Sequence, residues 1–243
     1  MQRKLQALRP FFTYYGGKYR TAPEYPKPEY ETIIEPFAGS AGYSLRHHHL
    51  NIILVEKSDI LVALWKYLIH VSACEILQLP DVHPYQTLDD LTLIPEAKIL
   101  IGFWLNKGNS SPCKQPSKWM RDGTHSNSFW GTTIRQRIAS QVDKIRHWKI
   151  INGDYSDAPD IECTWFVDPP YIIAGKHYKH SLKEINYEYL AAWAVARKGQ
   201  VIVCENNDAL WLPFEPFIVT HGTAGSYRSG VSKEALWTNR AQS

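Results

Sequence analysis

The chain is poor in cysteine, with four in 243 residues. Cys74, Cys113, Cys163 and Cys204 stand far apart, and none is spaced with a histidine as a zinc site requires. That argues against a disulfide framework and a metal centre, and for reduced thiols, mostly in the core. No apolar run reaches the roughly 18–20 residues of a membrane span. The N-terminus has charges but no apolar core segment, so no secretory signal is expected. A cytoplasmic protein without a membrane role and monomeric in solution is the expectation. Net charge is only +3, there is no internal repeat, and the full dinucleotide-binding fingerprint is missing. His47-His48-His49 does not make a metal site, because consecutive helical residues do not share a face. The 44% apolar content and the length suit one large domain, or one domain with an insertion.

Asp168-Pro169-Pro170-Tyr171 is the most informative run present. It follows Thr164-Trp165-Phe166-Val167, which reads as a buried strand. In open α/β sheets, ligands bind at the carboxyl ends of strands. The prolines have no N–H and stiffen the turn, so their carbonyls are expected to be open acceptors. Asp168 adds a second acceptor and Tyr171 a flat face. This set suits a planar group bearing an NH₂, such as an adenine lifted out of its helix. An ordinary strand-ending turn has the same composition.

A second motif runs from Glu31 through Glu35-Pro36-Phe37-Ala38-Gly39-Ser40-Ala41-Gly42. It reads as a strand, a glycine turn allowing close backbone approach, and a helix over 42–50 whose N-terminus favours negative charge. The next strand, residues 51–55, ends at Glu56, 17 residues after Gly39, near the spacing at which an acid reaches ribose hydroxyls. A solvated acid would sit there equally well. Near the start, Tyr14-Tyr15-Gly16-Gly17-Lys18 is either a ligand-wrapping loop or a flexible surface turn.

Basic residues are unevenly distributed. Residues 1–20 carry Arg3, Lys4, Arg9, Lys18 and Arg20 and no acid. Residues 98–149 carry ten lysines and arginines against Asp122 and Asp143, a net of +8. Trp104, Trp119, Phe129, Trp130 and Trp148 are interleaved with them. The pattern suits a phosphate-binding footprint in which the tryptophans pack and a subset of cations touches nucleic acid.

The remaining pattern sets the architecture. A strand at about 32–36, the helix over 42–50, a strand at 51–55 and a helix at 58–70 make a βαβα start. Residues 71–98 read as short helices and loops, 108–130 as an exposed loop or hairpin, and 134–148 as a helix. Strands follow at 148–151 and 164–167, then a helix over about 184–198 capped by Gly199, and a strand at 200–204. Residues 217–220 and 235–238 form a final hairpin across 222–230. The fold class is α/β: a doubly wound, Rossmann-like sheet with an inserted, mostly helical domain. Residues 1–70 and 149–243 form the sheet domain, and 71–148 the insertion.

In this order, the aromatic-Gly-Gly-Lys block, the Pro-Phe-x-Gly-x-x-Gly turn and Asp-Pro-Pro-Tyr resemble the DNA adenine methylase (Dam) family of N6-adenine methyltransferases. Phe103-Trp104-Leu105-Asn106-Lys107-Gly108-Asn109 is similar to the family's aromatic-Leu-Asn-basic segment ahead of its recognition region. Glu205-Asn206-Asn207-Asp208 and Lys233 to Asn239 fall where the family has its last strands. The resemblance covers about residues 11–60 and 150–205 strongly and 70–149 weakly. It implies methyl transfer from S-adenosyl-L-methionine, leaving S-adenosyl-L-homocysteine, to N6 of a flipped adenine in double-stranded DNA, with no metal. Asp168, Pro169, Pro170 and Tyr171 are the implied catalytic set: N6 donates to the Asp168 carboxylate and the Pro169 carbonyl, and Tyr171 stacks on the base. Tyr15, Gly17, Lys18, Phe37, Gly39, Gly42, Glu56, Asp154 and Asp168 are the implied cofactor contacts, with Glu56 on the ribose and Asp154 on the cofactor's adenine amine. Lys107, Asn109, Lys114, Lys118, Arg121 and Arg135 are the implied DNA contacts. An RNA adenine methyltransferase, a cytosine-N4 enzyme and a catalytically silent DNA-binding protein use compatible residues. The recognition sequence, and whether a restriction nuclease accompanies the protein, are not encoded.

Overall fold

The structure, a computed structural model, describes residues 6–123, 126–172, 185–221 and 231–240. The expected 222–230 loop, the start of the helix over 184–198, and Arg3 and Lys4 lie outside them. Short apolar runs, each closed by a polar or glycine turn, become the strands. They are β1 (Thr32–Glu35), β2 (Asn51–Glu56), β3 (Lys149–Asn152), β4 (Cys163–Val167), β5 (Gly199–Asn206), β6 (Glu215–His221) and β7 (Val231–Thr238). They form one mixed sheet in the order β3-β2-β1-β4-β5-β7-β6. β1 to β5 pair in parallel. β7 runs antiparallel to both β5 and β6.

The chain winds outward from β1 to β3 and then returns to place β4 on the other side of β1. The switch in direction therefore lies between β1 and β4, where open α/β sheets bind ligands outside the carboxyl ends of their strands. Both faces of the sheet are covered, as parallel strands require. Ile33, Ile52, Leu54, Phe166 and Ile202 enter the larger core, and Ile34, Val55, Trp165, Val167 and Val201 the smaller.

Among the described residues there are six α-helices. α1 (Asp59–His70) has Asp59 in its first turn and His70 in its last, matching the helix dipole. It buries Leu61, Leu64, Trp65 and Leu68 in the larger core. α2 (Ala73–Gln78) opens on a Ser72/Glu75 capping box, and α3 (Pro95–Leu105) on a proline. α4 (Lys118–Arg121) and α5 (Thr132–Ala139) follow. α6 (Tyr187–Val195) buries Leu190 and Ala194 in the smaller core. The described residues of 71–148 thus contain helices and no strand, but their apolar side chains do not form a separate core. Leu100, Ile101, Phe103, Trp104, Ile134 and Ile138 belong to the cluster that holds Phe11, Phe12 and Trp65. No helix among the described residues is long and apolar enough to cross a membrane.

Three expected helices differ, each because a tertiary contact outweighs local periodicity. The helix over 42–50 shrinks to a 3-10 turn, Ser44–Arg46. The Ser44 N–H is drawn to the buried Glu35 carboxyl at 2.7 Å, and Ala41 adopts a left-handed φ of 52°. The helix over 134–148 breaks into α5 and a 3-10 turn, Val142–Ile145. At the break Gln141 turns inward: its Oε1 accepts the Arg9 N–H at 3.1 Å, and its Nε2 donates to the Arg9 carbonyl at 2.6 Å. The helix over 184–198 ends at Val195, and Gly199 opens β5 instead of capping it. Gly199 has φ +96°, and a Cβ there would lie 2.2 Å from the Cys163 carbonyl oxygen.

Candidate active site

Beyond β1, the glycine turn is bolted to its neighbours by its own backbone. Gly39 (φ +46°) donates its N–H to Glu56 Oε2 at 3.0 Å and accepts from Trp65 Nε1 at 2.9 Å. Gly42 serves a close approach of two backbones: a Cβ there would meet the Tyr19 nitrogen at 2.5 Å and the Lys18 carbonyl carbon at 2.8 Å. The turn is thereby pressed against the Tyr14–Tyr19 segment. With only a 3-10 turn beyond it, the expected helix N-terminus for negative charge is not built.

These segments enclose a cavity of about 1090 Å³, part of it open to solvent. Tyr15, Gly17, Lys18, Phe37, Gly39, Gly42, Glu56, Asp154, Asp168 and Pro170 all line it. The sequence spreads these residues over more than 150 positions, and the sheet brings them to one crevice. On one side, the rings of Phe37 and Tyr155 stack with centroids 5.5 Å apart. Beside them Asp154 faces Lys57 Nζ at 3.7 Å. Glu56 is held at both oxygens, by Gly39 N–H and by Ser58 N–H at 2.9 Å.

At the other end, Lys18 sits among acidic side chains. Its Nζ is 2.8 Å from Asp168 Oδ1 and 3.8 Å from Glu234 Oε1. It also lies 4.5 Å from the centroid of the Tyr171 ring, a cation–π distance. Glu234 comes from β7, and its Oε2 accepts the Tyr25 hydroxyl at 2.6 Å. Burial raises the Asp168 carboxyl to about 6, against the downward pull of Lys18. Burial raises Glu35 to about 8, with the Ser44 hydrogen bonds opposing and the charge of Asp168 adding to the rise. At neutral pH Glu35 is therefore mostly protonated and Asp168 mostly ionised. Burial also lifts the Tyr171 and Tyr25 phenols far above their ordinary range.

Two details of the Asp-Pro-Pro-Tyr turn depart from expectation. The Pro170 carbonyl is not open, because the Tyr187 hydroxyl donates to it. Pro169 and Tyr171 are not among the cavity's lining residues; Tyr171 packs against the larger core with the Lys18 ammonium over its ring.

The six residues singled out for DNA have varied surroundings, and none lines the cavity. Lys107 extends over Phe129, with Nζ 5.0 Å from the ring centroid. Asn109 is structural: its carbonyl accepts the Tyr15 N–H at 3.2 Å, and its side chain donates to Cys113 Sγ at 3.0 Å. Lys114 pairs with Asp89 at 2.8 Å, and Arg135 with Asp81. Arg121 donates to the Pro116 carbonyl at 2.6 Å, and Lys118 is exposed on α4 beside the exposed Trp119. Sequence reasoning passed over Glu35, Tyr155 and the Tyr25–Glu234 pair. An acid closing an apolar strand was the available signal for Glu35. The Tyr25–Glu234 contact spans 209 positions and has no local signature.

No family model matches the chain, and no curated protein does. Among solved structures, the chain is similar to a conserved hypothetical protein from Streptococcus pyogenes, over 92% of each chain at 15% identity and a TM-score of 0.37. A likeness that weak carries no argument about fold or activity.

Proposed function

We propose that this protein is a DNA N6-adenine methyltransferase that takes its methyl group from S-adenosyl-L-methionine and releases S-adenosyl-L-homocysteine. One observation carries the reading. The Asp168 carboxylate and the Glu56 carboxylate line one cavity from opposite sides of the β1/β4 switch point. A nucleoside-bearing cofactor and a second planar amine can meet there.

The residues fit such a cofactor. Phe37 and Tyr155 offer aromatic faces to a purine, Asp154 an acceptor to its amine, and Glu56 an acceptor to ribose hydroxyls. The cavity end around Lys18, Asp168 and Glu234 has more acids than cations, which favours a positively charged ligand end. When bound, the cofactor supplies a methyl group on a positively charged sulfur that departs as a neutral thioether. The protein's own work is positioning and electrostatics. Asp168 accepts from the target amine and turns its nitrogen lone pair toward the methyl group. The Pro169 carbonyl, which does not line the cavity as it stands, becomes the second acceptor on target entry. Lys18 now holds the carboxylate oxygen and the tyrosine face that the target base needs. Target entry therefore displaces the ammonium, and Glu234, already 3.8 Å away, is its alternative partner. Tyr171 then stacks on the base, an interaction worth about 1–3 kcal/mol. Residues 71–148 are the target-recognition part of the enzyme.

The test is incubation of the full chain with isotope-labelled S-adenosyl-L-methionine and either duplex DNA or RNA, followed by identification of the labelled base. N6-methyladenine in DNA is expected. Label in cytosine, label in RNA alone, or no transfer would each overturn the proposal.

A further inference from the structure

We infer that the seam between the N-terminal segment and helices α3 and α5 grips the phosphate backbone of duplex DNA through Arg9, Arg20, Lys107 and Arg137, beside the mouth of the cavity. This inference rests on the proposed DNA substrate. It joins two cations of the basic 98–149 stretch, Lys107 and Arg137, to Arg9 and Arg20 of the N-terminal segment.

The seam is rigid. Trp104 Nε1 donates to the Phe11 carbonyl at 2.8 Å, and Thr13 Oγ1 to the Phe103 carbonyl at 2.6 Å. Gln141 clasps the Arg9 backbone from both sides, and the Tyr15 N–H is bonded to the Asn109 carbonyl. Tyr15 lines the cavity, and Lys107 is two residues from Asn109, so the seam begins at the cavity wall.

Two of its cations rest on aromatic rings, and none of the four is neutralised by a carboxylate among the described residues. The Arg137 guanidinium lies 4.7 Å from the Trp104 ring centroid, and one nitrogen reaches the Pro10 carbonyl at 3.4 Å. Lys107 rests on Phe129. An aromatic face fixes a cation's position but leaves its charge. None of the four has a carboxylate partner among the described residues, whereas Lys114, Arg135, Arg146, Arg197 and Arg240 each have one. After burial, the groups that lower the Lys107 amine are Arg137 and Arg20, and Arg9 lowers Arg137. The cations thus repel one another, an arrangement that a polyanion relieves. Four unneutralised cations on one seam suit the repeated phosphates of a polyanion better than a single anion.

The experiment measures binding of the full chain to a labelled 20-base-pair duplex by fluorescence anisotropy across a salt series. Arg9→Gln/Arg20→Gln is the main variant, because both side chains are exposed and their removal leaves the seam's hydrogen bonds intact. Arg137→Gln and Arg137→Lys form a second pair. Calorimetric binding of S-adenosyl-L-methionine is the control for an intact site. Each neutralised phosphate contact should lower the slope of log K against log salt by about 0.9 and weaken binding roughly tenfold at 0.1 M salt. Arg137→Lys should recover most of the slope lost in Arg137→Gln. If the wild type binds duplex steeply with salt and the neutralised variants keep its slope, the seam is wrong while the proposed function survives. If the wild type binds the cofactor but no duplex, or prefers an RNA of the same sequence, the DNA reading falls and the seam falls with it.

Discussion

Glu35→Gln should make the protein more stable at neutral pH while flattening its pH dependence. Glu35 is buried with no cation beside it, and folding raises its carboxyl from 4.5 to about 8. Between those values the folded chain keeps a proton that the unfolded chain has released. Stability therefore falls as pH rises through this window, by about 1.4 kcal/mol per pH unit, and levels off above pH 8. By pH 7 the accumulated loss is on the order of 3 kcal/mol. A glutamine keeps an oxygen for the Ser44 N–H and has no proton to retain. Its extra buried N–H costs about 1–3 kcal/mol, but that cost does not change with pH. The difference in unfolding free energy between variant and wild type should therefore shift in the variant's favour by roughly 3 kcal/mol from pH 4.5 to pH 7. Urea unfolding at four or five pH values measures it. Asp168, also raised on folding, adds a slope between its ordinary value and about 6 in both proteins and cancels in the comparison. Parallel pH curves for the two proteins would refute the reasoning.

Two further outcomes follow from the site. kcat/KM for DNA should rise with pH through about 6, as Asp168 loses its proton and becomes an acceptor; a profile flat from pH 5 to 7 would remove its carboxylate from the rate-determining interaction. Gly42→Ala forces a methyl group into the Lys18–Tyr19 backbone. It should destabilise the fold by about 1–3 kcal/mol and weaken cofactor binding; unfolding and calorimetric titrations check both, and a variant of unchanged stability and affinity would contradict the packing described.

Much of the sheet was legible in the sequence because its strands are short apolar runs with clear punctuation. Thr32–Glu35 and Asn51–Glu56 end in acids and Cys163–Val167 is followed by Asp168, and the three acids reappear together at the crevice. The cavity's wall was legible for a related reason: its residues sit just past strand ends, and the parallel order collects strand ends on one side. What the sequence hid depends on partners far along the chain. Ser44 leaves the helical pattern for Glu35, and Gln141 leaves it for Arg9. Glu234 reaches Tyr25 and Lys18 only because β7 inserts beside β5. The charge count over residues 98–149 likewise does not show that Lys114 and Arg135 are paired with Asp89 and Asp81. Arg137 reaches the Pro10 carbonyl, next to Arg9, through tertiary contact alone.

The most direct measurement compares Asp168→Ala with the wild type in methyl transfer to duplex DNA and in calorimetric binding of S-adenosyl-L-methionine. With the acceptor gone and the Phe37, Tyr155 and Glu56 wall intact, the variant should bind the cofactor within a few-fold of wild type yet transfer no methyl group. Transfer at the wild-type rate would contradict the assignment of Asp168, and a wild-type protein that does not bind the cofactor would contradict the function itself.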